Sequence, residues 1–273
     1  MLIKKALLTC TLLVTMTQAH AHRQWLLPSS TQIDAKEAWV TIDGAVSENL
    51  FDFDTNALDL DNLQIVAPDG SLLTPSNRVT TKFRSSADIR LVQKGTYKIS
   101  NTSHNVMVTY VLNGESKRWR GTEDKMAQEI PTEATDINVS RSFSRLETYV
   151  TVNKITDSVL SMTGQGLELL PLNHPNELFS QEKTHFKVLL DGKPLINKLV
   201  SIIAGGVRYR GILGEITAVS DKNGVIEVKW PNAGMYYLKI AYPQADEMLA
   251  YDKRLPMPQK RYSYALTLEV LPQ

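Results

Sequence analysis

Short runs of β-branched and aromatic residues recur along almost the whole chain, and most are closed by a turn dipeptide. "EAWVTIDGAV" alternates Trp39, Thr41 and Asp43 against Val40, Ile42 and Gly44. "GTYKIS", "NVMVTYVLNG", "ETYVTVNKI" and "THFKVLLDG" follow, bounded by Asp-Gly, Asn-Gly and Lys-Gly pairs. Such runs pack well on a pleated, half-buried surface, and helical periodicity is rare between them. The pattern predicts an all-β chain built from two β-sandwich domains. "GTEDKMAQEIP" can close a short helix before Pro131 and otherwise reads as a loop. In "GQGLELLPLNHPNELFSQ", Pro171 and Pro175 discourage both helix and central strand. The expected division is therefore an N-terminal sandwich over residues 22–170, a linker at 171–181 and a second sandwich over 182–273.

The N-terminal residues point to export. Lys4 and Lys5 precede an uncharged, mostly apolar run from Ala6 to Met16, and Ala19-His20-Ala21 places small residues at the −3 and −1 positions of a cleavage site. That order is the secretory signal pattern, and the apolar run is too short to remain as a membrane span. Residues 1–21 are expected to be a signal peptide, with the product periplasmic and not inserted in the membrane. The one cysteine, Cys10, lies in that segment. The exported chain then holds no disulfide and no cysteine-ligated zinc or iron–sulfur site.

With the segment removed, 28 basic residues face 29 acidic ones, a formal charge of −1. No global field favours nucleic acid or anionic lipid. Lys117-Arg118-Trp119-Arg120 reads as a solvated strand end, because no glycine-rich loop or helix start accompanies it.

The C-terminal part has its own grammar. "FKVLLDGKPLINKLVSIIAGG" is strand, Asp-Gly turn, strand; in "TAVSDKNGVIEVKWPNAGMYYLKIAY", Asp221-Lys222-Asn223-Gly224 forms a tight turn because Asn and Gly accept positive φ. Residues 182–272 resemble the transthyretin-like, carboxypeptidase-regulatory-like sandwich, which implies a binding or spacer role. The N-terminal sandwich is expected to be immunoglobulin-like. "AHAHRQWLLPS", "AVSENLFDFD…LDLDNLQIVAPDG", "KGTYKIS" and "GLELLPLNHPNEL…VLLDGKPL" occur in that order. Together they resemble a bacterial periplasmic family of unknown function that has been described as the periplasmic component of cobalt or nickel transport. That resemblance implies a non-enzymatic protein acting beside an envelope transport or receptor protein.

Two further features bear on a site. In "FDFDTNALDLDNL", Asp52, Asp54 and Asn56 match the start of an EF-hand loop, but Ala57 replaces the glycine and Leu63 the bidentate glutamate. The alternation of Phe51 and Phe53 with Asp52 and Asp54 is read as a half-buried strand with an acidic face. No nucleophile-elbow or zincin motif is present.

The histidines are few. His174 and His185 read as surface residues. Cleavage after Ala21 leaves His22 first, so that its amine and imidazole chelate one ion; cleavage after Ala19 leaves His20-Ala21-His22, a square-planar site for copper or nickel. His104, in a "NTSHN" turn, is the candidate further ligand. The reading is thus a metal site at His22, His20 and His104 taking nickel, cobalt or copper. The alternative is an envelope module that recognises a protein or glycan, with Trp25, Trp119 and Tyr110 as contact surface, although Trp25 and Trp39 suit the core equally well.

Overall fold

The computed structural model describes residues 22–244 and 258–273. The expected signal peptide, Cys10 and His20 lie outside the described residues. The described residues are all-β, with 56% of them in strands and 5% in helix. Among the described residues no helix is long and apolar enough to cross a membrane.

Three sheets stack in layers. The first runs in the order Arg23–Pro28, Ala38–Ser47, Ser85–Leu91, Ser76–Thr80. The second, ten-stranded, runs Ile216–Val219, Leu199–Ala204, Gly234–Tyr242, Lys260–Val270, Thr135–Val152, Gly95–Leu112, Leu63–Val66, Leu72–Leu73. The third is built on Lys183–Leu190, flanked by Leu167–Pro171 and Val225–Lys229.

One core lies between the first and second sheets and contains Trp25, Ile42, Ile89, Tyr97, Ile99 and Tyr237. The other lies between the second and third sheets and contains Phe186, Val188, Trp230, Leu238, Tyr264 and Leu266. Side chains alternate faces along a strand, so Leu238 and Tyr264 enter one core while Tyr237 and Ala265 enter the other. A strand covered on both faces needs apolar residues at odd and even positions. This is why "MYYLKIAY" reads as a continuous run.

Two sandwich cores are therefore present, but they share their middle sheet. Thr135–Val152 lies parallel to Lys260–Val270, from Arg141 opposite Lys260 to Thr148 opposite Thr267. The sequence division at 171–181 thus does not separate two sheets. Those residues, expected as a linker, are packed: Asn176 is buried and donates to the carbonyls of Thr31 and Tyr149, and Ser180 N–H donates to the Leu271 carbonyl.

A buried ionic group ties the layers. Glu147, 4% exposed, accepts the Tyr264 hydroxyl at 2.6 Å and lies 3.5 Å from Lys98 Nζ. Arg145, on the same face, reaches Glu168 of the third sheet at 2.8 Å. Each buried carboxylate has a cation beside it, as desolvated charge requires. Burial, with Glu147 close by, holds the Tyr149 and Tyr264 hydroxyls protonated well above the usual tyrosine range.

The local turns follow their chemistry. Asn113 (φ 54°) and Gly114 (φ 79°) close the hairpin between Gly95–Leu112 and Glu115–Gly121. The Asp221 carboxylate accepts the N–H groups of Asn223 and Val225, closing the turn expected there. Glu123–Glu129 is a helix, with Glu123 paired to Arg141 at 2.6 Å.

The shared sheet makes unfolding one event. Ile42→Ala in one core and Leu238→Ala in the other each remove about 2–5 kcal/mol from a single transition. Urea unfolding followed by circular dichroism checks this. Two separated transitions, each moved by only one substitution, would show that the cores unfold independently.

Candidate functional site

His22 precedes the strand Arg23–Pro28, in which Arg23 pairs with Ser47. This register sets His22 beside the residues that leave the strand Ala38–Ser47. Its imidazole Nε2 lies 3.6 Å from Glu48 Oε1, and both side chains are more than half exposed, at 53% and 58%. Arg23 anchors the same place by donating to the Glu48 carbonyl at 2.8 Å.

Glu48 is held by the segment that follows it. The acidic run, expected as a strand, is a loop. Phe51 adopts φ 67°, and Phe51 and Phe53 both turn back onto Trp25, at ring-centroid distances of 5.5 and 5.3 Å. Asp54 closes the loop: its carboxylate accepts the backbone N–H groups of Glu48 and Asn49, each at 3.0 Å, and the Thr55 hydroxyl. Partial burial raises the Asp54 pKa, but the bonds from Asn49, Glu48 and Thr55 outweigh it and bring the value below 3.8. Alternation in the sequence was misleading because both phenylalanines follow one indole rather than a sheet face. Trp25, open in the sequence between contact surface and core, is fully buried, with its indole N–H on Ser47 Oγ at 2.8 Å.

His104 is not in a turn. It lies within the strand Gly95–Leu112, opposite Phe143. Tyr97 and Ile99 of that strand face the core under the first sheet, so His104, of opposite parity, faces the other way. His22 extends the first sheet, and the structure does not bring the two histidines together. His104 instead stacks on Phe143 at 4.5 Å, and Phe143 stacks on Tyr262 at 5.2 Å. These three rings lie on neighbouring strands and line a cleft of about 600 Å³.

The other histidines hold structural or exposed positions. His174 is engaged between layers: Nε2 meets Thr96 Oγ1 at 3.0 Å, and Nδ1 accepts the Asn176 N–H at 3.1 Å. Burial pushes its pKa down. His185 is exposed on Lys183–Leu190, 3.4 Å from Glu227. Trp119 donates its indole N–H to Glu129 at 2.8 Å. Among the described residues no three His, Cys, Asp or Glu side chains gather as a ready metal cage. Glu48 had no signal in the sequence, since only the register of Arg23 against Ser47 brings it to His22.

The comparisons with known proteins are as follows. Residues 19–244 match the family described as Domain of unknown function (DUF4198). No curated protein matches the chain. Among solved structures, the chain is similar to the D0-D1 domain of intimin, at 10% identity over 90% of this chain and 97% of that one, with a TM-score of 0.23. It is similar to Escherichia coli alpha-2-macroglobulin activated by porcine elastase, at 12% identity over 93% of this chain and 20% of that one, with a TM-score of 0.22. The human OSCAR ligand-binding domain is similar at 11% identity over 92% and 100%, with a TM-score of 0.21. Likeness at this level carries no argument about activity or partner.

The Asp54 loop yields a pH prediction. Its folded pKa is depressed, so the stability it adds is present above the ordinary value of 3.8 and is lost as pH falls through the lower folded value. Asp54→Ala costs about 1 kcal/mol at pH 7, as loss of a comparable cap does. The difference from the parent shrinks as the carboxylate protonates in acid. Denaturant midpoints of both proteins at pH 7 and at acid pH measure it.

Proposed function

The chain belongs to the DUF4198 family, and from that premise we propose that it is an exported, non-enzymatic transition-metal-binding protein. It serves nickel, cobalt or copper uptake or delivery beside an envelope transport or receptor protein. The observation that carries this reading is the approach of Glu48 to His22 at 3.6 Å through Nε2. The charge of a carboxylate on that side, acting beyond hydrogen-bond distance, favours the tautomer with the proton on Nε2, which leaves Nδ1 free as a ligand. Nδ1 is the nitrogen that closes a six-membered chelate with the residue's own amine. If processing follows Ala21, His22 supplies amine and imidazole together, and Glu48 orients the ring from behind. Imidazole and amine donors suit copper, nickel and cobalt. The metal is cargo here, and its remaining ligands come from solvent or from the partner.

A second reading is an envelope module that recognises a protein or glycan. It is favoured by the stack of His104, Phe143 and Tyr262 on an exposed sheet face. Stacked rings at a surface provide rigid, amphipathic contact area.

The two readings separate in a titration with copper(II) and nickel(II). Protein whose first residue is His22 binds the ion, and a form with Met ahead of His22 binds it weaker by roughly two orders of magnitude, since the amine is displaced. Glu48→Gln weakens binding by about ten-fold, the usual effect of losing a partner behind a ligating histidine. His104→Ala and His185→Ala leave it unchanged. Equal affinity of the native and Met-extended forms would remove the terminus as the site and leave the aromatic face as the better reading.

A further inference from the structure

The two long strands Gly95–Leu112 and Thr135–Val152 each have 18 residues, whereas no strand of the outer sheets exceeds 10. The central sheet therefore runs out beyond its cover. On the side of the first sheet, the buried row containing Leu146 and Ala265 gives way to two polar rows. In one, Ser144 lies opposite Ser103 and Ser263; in the next, Ser142 lies opposite Asn105 and Arg261. Small hydroxyl side chains make this floor concave. The cleft above it has a volume of about 580 Å³ and is bounded by Gln24 of the first sheet.

Its charge is one-sided. Arg118, Arg120, Lys239 and Arg261 line the cleft, and among the described residues no aspartate or glutamate does. Arg118 and Arg120 share a face with Met107, which lines the same cleft. The arginines of opposite parity behave differently. Arg141 and Arg145, on the far face of the same sheet, are each paired with a carboxylate, Glu123 and Glu168. Among the described residues, Arg120, Lys239 and Arg261 have no ion-pair partner, and Arg118 has only a bond to Met107 Sδ. A merely solvated strand end would show both signs, as the rest of this nearly neutral chain does. Burial and the charge of Arg23 lower the Lys239 pKa, against the opposing pull of Glu215, so positive charge here is held at a cost that an anion would relieve.

We propose that this cleft is a binding site for a small, multiply charged oxyanion bearing hydroxyl or carboxylate groups. Guanidinium forks grip carboxylate or phosphate oxygens in pairs, and the serine floor serves the remaining acceptors and hydroxyls. Arg120 and Arg261 stand three strands apart and two residues out of line, about 16 Å at the backbone. Both side chains line the cleft, and its volume of about 580 Å³ has room for a ligand the size of a tricarboxylic acid. The site is separate from His22 and does not rest on the metal reading.

The test is titration calorimetry of the exported protein with citrate and, separately, with inorganic phosphate. Citrate is expected to bind one per chain with a Kd below about 1 mM, and more weakly as salt is added. Arg120→Gln and Arg261→Gln each weaken it ten-fold or more, with Arg118→Gln as a further exposed position in the same cleft. Arg78→Gln, on the outer strand Ser76–Thr80, leaves binding unchanged. Tighter binding of citrate than phosphate identifies a carboxylate ligand, and the reverse a phosphate one. Circular dichroism verifies that each variant keeps its fold. The proposal is overturned if neither anion binds, if the cleft variants bind like the parent, or if only a long polyanion such as heparin is held.

Discussion

Everything in this molecule hangs on a sheet that is covered on both faces. Lys260–Val270 and Gly234–Tyr242 contribute to two cores at once, one under each outer sheet. A fully buried apolar side chain is worth about 1.5–3 kcal/mol, so a strand buried on both sides contributes nearly twice what a half-exposed strand of equal length can. The parallel contact of Thr135–Val152 with Lys260–Val270 is what allows the sharing. It joins strands more than a hundred residues apart and converts two sandwiches into three layers. The cost is that polar groups of the middle layer are buried with it. The chain meets that cost with Lys98, Glu147, Arg145 and Glu168, set in reach of one another and of Tyr264.

The same sheet generates the candidate sites by overhanging its covers. Eighteen residues of strand extend roughly 60 Å, well past anything the outer sheets shield. Alternation then sorts the exposed ends into two unlike faces. One carries His104 with Phe143 and Tyr262 in a stack; the other carries serines and cations that have no carboxylate partner among the described residues. Neither face needs a loop to form it, and both inherit the rigidity of the sheet. The His22 position is of a different kind. It sits at the end of the first sheet, beside a loop that Asp54 holds in place.

Strand content, the turns at Asn113-Gly114 and Asp221–Gly224, and the buried character of the C-terminal strands were legible in the chain itself. They depend on local sterics and on which residues tolerate burial, and these act between near neighbours. The short helix at Glu123–Glu129 was visible as a possibility, and its pairing to Arg141 across 18 residues is a tertiary fact. Where local pattern and long-range packing competed, packing won. "FDFD" alternates like a strand, yet Phe51 and Phe53 both serve Trp25, and the backbone turns to let them. "NTSHN" is composed like a turn, yet it pairs residue for residue with "SFSRL" in the middle of a sheet.

The sequence by itself determined that the chain is all-β, that its apolar residues suffice for two cores, and that His22 stands immediately after small residues suited to cleavage. Only the tertiary structure decided that the two cores share a sheet, that His104 faces away from His22, and that Glu48 lies beside it. It also decided that cations from three separate strands meet over a floor of serines. The reason is physical. Composition and periodicity state which side of a strand seeks cover, but partner and register are set by the whole packed assembly. A shift of one residue in register would have exchanged the aromatic face for the cationic one.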